Sequence, residues 1–349
     1  MKKIYLALVL IMISLPCSSM ENLFYILRGS KIAEKSLSQH GRAINILTPQ
    51  AYHVNEHGKV SGEIDNHVLK YANIHHAKLM PLITNSLFDQ EKAHQFLSDS
   101  TAQTEALQSI LLACKQNHFY GVQFDFENIH IKDKVALTNF YQRAYNLLHP
   151  NKFVVSLAIV PETEDIPSSS FEERKFNNWT GAYDLKSLAK YSDFVTIMSY
   201  DQHTAGSTPG PTASSQWVEA TIKHTLKFIP ANKISLGIPL YSGHWYTGKL
   251  SSKSTEIKVH LAELGYQEAM QFIKKNHLKL KWDEIAKNHY AIYQRHWLNQ
   301  YLFVEDTASF AAKTALAKKY HLRGLSVFDL GIEDPKIWKN SIFKSAKQK

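Results

Sequence analysis

The sequence predicts an α/β fold, a (β/α)8 or TIM barrel with a small α+β insertion between the seventh and eighth strands. Eight short apolar runs rich in β-branched residues recur along the chain, and helical periodicity fills several intervals between them. Strand and helix in alternation, repeated eight times, is typical of a closed parallel barrel. The interval before the last run is much longer than one helix needs, which predicts the insertion.

The strand predictions rest on runs of five to seven residues dominated by Val, Ile, Leu and Phe. The predicted strands cover residues 22–27, 43–47, 78–83, 121–127, 153–159, 194–200, 234–240 and 324–330. Apolar residues recur at helical spacing over residues 104–117, 137–148, 217–228 and 310–320. These helices fall where the crossover connections of a parallel sheet are required.

The insertion is predicted in the interval between residues 240 and 324, with bounds of about 248–305. Within it, residues 261–275 have a helical pattern, whereas residues 291–293 and 301–304 have the pattern of strands. Residues 20–349 otherwise read as one barrel domain, because no internal repeat or low-complexity tract divides them.

Residues 1–19 have the features of a cleaved secretory signal peptide. A short basic segment is followed by an apolar run over residues 4–15, which is too short to span a bilayer of roughly 30 Å. The alternatives are a membrane anchor and a lipoprotein modified at Cys17, but Pro16 stands where a lipoprotein signal needs a small residue. We expect a mature protein without a membrane span that is secreted or periplasmic.

The composition excludes several other classes of protein. Hydrophobic residues make up 44% and charged residues 20%, which excludes a disordered chain. The formal charge of +9 is not gathered into a Lys/Arg block, so we expect no nucleic-acid partner. Two cysteines exclude a disulfide scaffold and a Cys-based zinc site, and the 18 histidines form no H-E-x-x-H motif. We expect no metal, no cofactor and a monomeric chain.

Two carboxylates come at the end of the fourth predicted strand, where barrel enzymes carry catalytic groups. Gln123, Asp125 and Glu127 alternate with Phe124 and Phe126, so the three polar side chains share one face. A half-buried strand with a solvated polar face is the alternative. In a barrel, however, that face points into the lumen, where a charge without a role is costly. The pattern favours an acid/base pair, with the pKa of Glu127 raised by burial and by Asp125.

Residues 120–127, YGVQFDFE, resemble the D-G-x-D-x-D-x-E motif of glycoside hydrolase family 18. Residues 198–201, MSYD, resemble its M-x-Y-D motif, and residues 236–241 and 324–331 resemble its last two strands. The resemblance implies a TIM barrel, in agreement with the strand count. It also implies substrate-assisted retaining cleavage of N-acetylated glycans, in which the 2-acetamido oxygen of the sugar replaces a protein nucleophile.

The resemblance implies roles for single residues as well. Glu127 would act as general acid and then as general base, Asp125 would hold the acetamido N–H, and Tyr200 would bind the acetamido oxygen. Met198 and Asp201 would line the same subsite. Two further substrate-binding positions depart from the family pattern, because Gln123 stands where many members have Asp and Phe328 where most have Trp.

Aromatic residues beyond the strand ends are candidates for stacking on sugar rings. Tyr241 and Trp245 follow the seventh strand and are the best placed. The other candidates are Trp179, Trp217, Tyr246, Trp282 and Trp297. Any one of them, taken alone, is more often a core or rim residue than a binding residue.

We therefore expect a secreted glycoside hydrolase that cleaves β-1,4 linkages in glycans containing N-acetylglucosamine, of the peptidoglycan or chitin type. The alternative is a catalytically weak or inactive, lectin-like glycan-binding protein on the same barrel, and the residues at Gln123 and Phe328 favour it. Retention of Glu127, Asp125 and Tyr200 together favours the enzyme, because a lectin has no need of a general acid.

Overall fold

The structure is a computed structural model that describes residues 20–248, 258–295 and 297–343. The predicted signal peptide over residues 1–19, including Cys17, lies outside the described residues. The strands are β1 Glu21–Ile26, β2 Ile46–Val54, β3 Val60–Gly62, β4 Lys78–Leu79, β5 Leu82–Asn85, β6 Gly121–Asp125, β7 Val154–Ile159, β8 Phe194–Ile197, β9 Ile234–Pro239, β10 Ser242–Gly248, β11 Lys258–Leu264, β12 Lys281–Asp283, β13 Asn288–Arg295, β14 Leu298–Val304 and β15 Gly324–Phe328. The α-helices are α1 Lys31–His40, α2 Asn66–His75, α3 Gln90–Ser98, α4 Ser100–Gln116, α5 Lys134–Leu148, α6 Ser170–Lys175, α7 Leu185–Leu188, α8 Ser215–Thr225, α9 Tyr266–Lys275 and α10 Thr307–Lys319.

Eight parallel strands close into a barrel in the order β1, β2, β5, β6, β7, β8, β9 and β15. Closure is complete because β1 pairs in parallel with both β2 and β15. The predicted TIM barrel is therefore confirmed. The second strand is displaced from the predicted residues 43–47 to Ile46–Val54, because the polar residues Thr48, Gln50 and His53 lower its apolar content.

The outer face of the barrel packs on the helices through aromatic side chains. Phe124 and Phe126 of the β6 region are fully buried against Phe96, Phe140 and Tyr141, with ring centroids between 5.3 and 6.2 Å apart. Strand alternation then directs the intervening residues into the lumen. This packing fixes the side of the wall on which the polar residues of β6 lie.

The insertion is a five-stranded antiparallel sheet in the order β11, β10, β14, β13 and β12. Its strands place Ala291 and Leu302 in a small apolar cluster with Phe272 and Ile273 of α9. The helix predicted for residues 261–275 is wrong in its first part, because residues 258–264 pair along their whole length with β10. The helix begins only after Gly265, whose N–H donates to Glu268 Oε2 at 2.9 Å.

A buried ion pair ties the insertion to the last barrel helix. Lys313 Nζ of α10 lies 2.8 Å from Glu305 Oε2, and neither side chain is exposed to solvent. Glu305 also accepts hydrogen bonds from Asn288 of β13 and from Ser309. Each oxygen of the buried carboxylate is thus paired, as burial of a charge requires. None of the helices in the described part of the chain has the length and apolar content needed to cross a membrane.

Candidate active site

A cavity of about 920 Å³ opens at the carboxyl ends of the barrel strands. Its walls come from the segments that follow the strands and from the insertion. The lining residues are Gln50, Leu82, Phe88, Asp125, Glu127, Asn128, Val160, Pro161, Arg174, Lys175, Asn178, Trp179, Met198, Tyr200, Asp201, Thr204, Trp217, Tyr241, Glu263 and Phe328. The structure therefore brings together seven of the nine predicted site residues, leaving out Gln123 and Trp245.

The backbone of Glu127 is held by side chains just beyond the end of β6. The Glu127 N–H donates to Asn85 Oδ1 at 2.9 Å, and Asn85 Nδ2 donates to the Glu127 carbonyl at 3.0 Å. The preceding carbonyl, of Phe126, accepts a hydrogen bond from Tyr183 Oη at 2.6 Å. These hydrogen bonds replace the strand pairing that ends at Asp125. They therefore fix the backbone that carries the Glu127 side chain.

The two carboxyl groups of this segment interact directly. Burial raises the pKa of Glu127, and the negative charges of Asp125 and Asp201 raise it further. Burial also raises the pKa of Asp125, while a hydrogen bond from Glu127 partly offsets that effect. The proton is therefore held on Glu127, which donates it toward Asp125. A protonated carboxyl at neutral pH is what a general acid requires.

Tyr200 stands at the end of β8, against the neighbouring strand. Ser199 Oγ donates to the Gly237 carbonyl at 2.6 Å, which pins the turn that carries Tyr200. A Cβ at Gly237 would lie 2.3 Å from the Ile197 oxygen and 3.1 Å from the Tyr200 ring, so only glycine leaves room there. Burial raises the pKa of the Tyr200 phenol, which therefore remains a hydrogen-bond donor.

An aromatic and acidic wall continues from Tyr200. The ring of Phe328 stacks on Tyr200 with centroids 5.5 Å apart and an interplanar angle of 27°. Tyr241 Oη donates to Asp201 Oδ1 at 2.5 Å, and Asp201 adopts a left-handed backbone with φ of 58°. Burial raises the pKa of Asp201. The structure thus gathers Met198, Tyr200, Asp201, Tyr241 and Phe328 in the lining of the same cavity as Glu127.

Gln123 was predicted as a substrate-binding residue, but the structure places it beneath the cavity. It is fully buried and its amide is satisfied by protein groups. Tyr25 Oη donates to Gln123 Oε1 at 2.6 Å, and Gln123 Nε2 donates to Ser156 Oγ at 2.8 Å and Thr196 Oγ1 at 3.1 Å. Gln123 therefore belongs to a polar layer across the lumen. It lies two residues before Asp125 in β6, farther from the cavity.

Trp245, also predicted to bind substrate, lies outside the cavity lining. Trp245 lies in β10, is 1% exposed and donates through Nε1 to the Gly210 carbonyl at 3.1 Å. Its ring packs under the loop after β8 and not into the cavity. Two other aromatic candidates, Trp179 and Trp217, do line the cavity. Trp297 is 94% exposed and lies outside the lining.

Several lining residues had not been predicted. Glu263 comes from β11 of the insertion, in a segment whose pattern looked helical. Arg174 and Lys175 end α6, and Phe88 and Asn128 follow β5 and β6. Phe88 and Asn128 follow predicted strands closely, so the strand-end rule offered a signal for them. Among the described residues, no group of three or more His, Cys, Asp or Glu side chains is arranged to hold a metal ion.

The fold and the site together define an enzyme of the glycosidase class, with a protonated carboxyl and an aromatic wall at the carboxyl end of a closed barrel. Comparison with known families agrees. The family model "Glycosyl hydrolases family 18" matches residues 50–333. The chain belongs to this family.

Sequence similarity to known proteins extends over most of the chain. It is 27% identical over 319 residues to the "Uncharacterized glycosylase YvbX" of Bacillus subtilis, covering 89% of this chain and 88% of the relative. It is 28% identical over 268 residues to the "Cortical fragment-lytic enzyme" of the same organism, covering 74% of this chain and 58% of that protein.

Solved structures share the fold at lower identity. The spore cortex-lytic enzyme SleL of Bacillus megaterium has a TM-score of 0.79 and 22% identity. The match covers 94% of this chain and 74% of the SleL chain. A chitinase of Chromobacterium violaceum has a TM-score of 0.79 and 22% identity. The match covers 95% of this chain and 100% of the chitinase chain. At this identity the likeness supports the barrel fold and nothing finer.

Proposed function

We propose that this glycosidase cleaves β-1,4 linkages next to N-acetylglucosamine in peptidoglycan or chitin-type glycans, by substrate-assisted catalysis with retention of configuration. The observation that carries the proposal is the placement of the Glu127 and Asp125 carboxyls together in the lining of one cavity, with the charge of Asp125 raising the pKa of Glu127. Glu127 then protonates the glycosidic oxygen and later activates water.

Asp125 is badly placed to act as a nucleophile. Retaining glycosidases with a carboxylate nucleophile keep acid and nucleophile about 5–5.5 Å apart, on opposite sides of the scissile bond. Asp125 and Glu127 are two residues apart and line the same cavity, so by strand alternation their carboxyls approach a substrate from the same side. Asp201, the next carboxyl, already accepts a hydrogen bond from Tyr241. The 2-acetamido oxygen of the substrate fills the missing role.

The surroundings suit an acetamido group. Asp125 Oδ1 is buried and has no hydrogen-bond partner within the described part of the chain. An unsatisfied buried acceptor costs free energy that a ligand N–H recovers. The Tyr200 phenol, protonated because burial raises its pKa, offers a donor to the acetamido oxygen. Phe328 offers an aromatic face to the sugar ring, with less area than a Trp would give.

The test compares the wild type with Glu127→Gln on N-acetylated and de-N-acetylated oligosaccharides of the same length. We expect the variant to lose about 10²–10⁴-fold in kcat while it still binds the N-acetylated oligomer. We also expect the wild type to release the β-anomer first, as read by NMR. Glu91→Gln, an exposed change on α3, is the control. Comparable turnover of the de-N-acetylated oligomer would overturn the mechanism.

The same comparison separates the enzyme from the lectin-like alternative. A lectin would bind the N-acetylated oligomer and give equal, near-zero rates for the wild type and Glu127→Gln. Export from the cytoplasm is a further proposal, supported by the sequence pattern of residues 1–19. It predicts that the protein recovered outside the cytoplasm begins near residue 20, as read by N-terminal sequencing.

A further inference from the structure

One peptide group, between Phe126 and Glu127, is held by side chains at both of its ends. Tyr183 Oη donates to the Phe126 carbonyl at 2.6 Å, and the Glu127 N–H donates to Asn85 Oδ1 at 2.9 Å. A peptide group is planar and trans, so its C=O and its N–H point in opposite directions. Tyr183 and Asn85 therefore hold the two ends of one rigid plane, the 126–127 peptide.

The 126–127 peptide lies beyond the strand pairing of β6. The last residue of β6 in register with β5 is Asp125, and the last in register with β7 is Phe124. Phe126 is fully buried, so its carbonyl needs a hydrogen-bond partner that the sheet no longer provides. Tyr183 supplies that partner, and without it the plane is held at one end only.

Tyr183 is itself fixed in the connection between β7 and β8. It follows the helical turn Phe176–Thr180, and its N–H donates to the Thr180 carbonyl at 3.1 Å. The next residue, Asp184, caps α7 by accepting a hydrogen bond from the Ser187 N–H. Tyr183 is 4% exposed, and burial raises the pKa of its phenol. The phenol therefore keeps its proton and remains a donor.

A second phenol packed on the same strand makes no such bond. Tyr141 of α5 is fully buried, and its ring centroid lies 6.0 Å from that of Phe124 and 6.2 Å from that of Phe126. Its hydroxyl has no hydrogen-bond partner among the residues that the structure describes. The two tyrosines are alike in burial, but only Tyr183 is bonded to the backbone that carries Glu127.

We propose that Tyr183 is a positioning residue for the reaction, and that it acts together with Asn85 by clamping the 126–127 peptide. The Glu127 side chain branches directly after this peptide, so rotation of the plane displaces the carboxyl that protonates the glycosidic oxygen. Tyr183 is not among the residues that line the cavity. It therefore serves the placement of the acid and not the binding of the glycan. This inference rests on the proposed function.

The test compares Tyr183→Phe, Asn85→Ala and the double variant with the wild type on one soluble N-acetylated oligosaccharide. Tyr183→Phe removes only the hydroxyl. Tyr141→Phe is the matched control, because it removes a buried hydroxyl that has no partner to lose. The measured quantities are kcat, KM and the rate of backbone hydrogen exchange over residues 121–128. All are measured well below the unfolding temperature of each variant, so that loss of folded protein does not enter.

We expect Tyr183→Phe to lower kcat about tenfold with little change in KM, since the bond to Asn85 remains. Because both side chains hold one plane, their effects should not multiply. The double variant should lose about 10²-fold in kcat, as Asn85→Ala does, and not the roughly 10³-fold of two independent effects. Tyr141→Phe should leave kcat and KM unchanged.

Hydrogen exchange gives a readout that does not depend on turnover. Residues 121–128 should exchange faster in Tyr183→Phe than in Tyr141→Phe, because only the first variant loses a bond to this segment. An unchanged kcat in Tyr183→Phe, a fully multiplicative loss in the double variant, or equal exchange in the two phenylalanine variants would overturn the inference. Cleavage by the wild type and its loss in Glu127→Gln would then still uphold the proposed function, whereas an inactive wild type would overturn both.

Discussion

The side chain of Asn85 brackets the peptide of Glu127 through two hydrogen bonds, accepting from its N–H at 2.9 Å and donating to its carbonyl at 3.0 Å. Asn85 ends β5, whose register with β6 runs through Thr84 and Asp125. Its amide therefore imitates the next peptide of the ladder after regular pairing has stopped. Because Asn85 contacts the backbone of the acid and not the substrate, it is a positioning residue.

Asn85→Ala removes both bonds and leaves Glu127 on an untethered segment. We expect kcat to fall about 10²-fold, since small displacements of a catalytic group cost that much. The KM and the binding of an oligosaccharide should change little, because the lining side chains remain. Steady-state kinetics and direct binding measure the two effects.

Asn276→Ala is a suitable control for Asn85→Ala, since it removes an Asn side-chain bond to the Phe272 carbonyl at an exposed helix end. It should leave both constants unchanged. A rise in KM with normal kcat in Asn85→Ala would show that Asn85 serves binding and not the placement of Glu127.

The charge of Asp125 should set the basic limb of the pH profile. Asp125 raises the pKa of Glu127, and Glu127 acts as an acid only while it is protonated. Asp125→Asn removes that charge, so the pKa of Glu127 falls and the basic limb of kcat/KM moves to lower pH. The measurement is the pH dependence of kcat/KM for both proteins. Glu263→Gln tests specificity, because Glu263 lines the cavity without raising the pKa of Glu127; an equal displacement in both variants would contradict the assignment.

Strand periodicity was enough to predict the core of the site. The alternation of Gln123, Asp125 and Glu127 with apolar residues predicted the acid pair in the lumen, and the resemblance to glycoside hydrolase family 18 supplied Tyr200 and Phe328. These predictions depend only on local pattern and on the parallel barrel. Alternation gives the face of the strand on which a side chain lies but not how far along the strand it is from the cavity. For this reason we expected Gln123 in the cavity.

Other features depend on contacts between distant parts of the chain. Trp245 was expected in the cavity, but the chain leaves the barrel after Pro239 and β10 belongs to the insertion sheet. There the Trp245 ring turns toward Gly210, which the local sequence pattern does not encode. Glu263 was missed because its segment is a strand only through pairing with β10. The role of Asn85 depends on the register between β5 and β6, which the spacing of residues along the chain does not fix.

Gln123 should contribute to stability through the polar layer of the lumen. Gln123→Met has nearly the same shape but leaves the hydroxyls of Tyr25, Ser156 and Thr196 without their amide partner. Each unsatisfied buried group costs about 1–3 kcal/mol, and partial re-pairing gives an expected loss of about 2–4 kcal/mol in the free energy of unfolding. Urea unfolding measures it. Gln90→Met, at the half-buried start of α3, should cost less than about 0.5 kcal/mol. Similar losses in both variants would show that the polar layer contributes no more to stability than a half-buried glutamine.

Asp329 gives the fold a dependence on pH that is separate from catalysis. It follows β15, and burial together with the charges of Glu333 and Glu263 raises its pKa from 3.8 to about 7. Below pH 4 the carboxyl is protonated in both the folded and unfolded chain, so it adds no pH dependence there. As pH rises from 4 to 7, the unfolded chain loses its proton first, and the folded state becomes progressively less stable relative to it.

Asp329→Asn removes this titration while keeping the size of the side chain. We expect the variant to match the wild type in Tm near pH 4 and to exceed it increasingly up to pH 8, because only the wild type must then bury a charge. Thermal unfolding at a series of pH values measures the difference. Glu105→Gln, at an exposed position of α4, controls for the loss of one negative charge. A constant Tm difference across the series would mean that the Asp329 carboxyl does not titrate in this range, and that its burial is offset by contacts which hold it ionised.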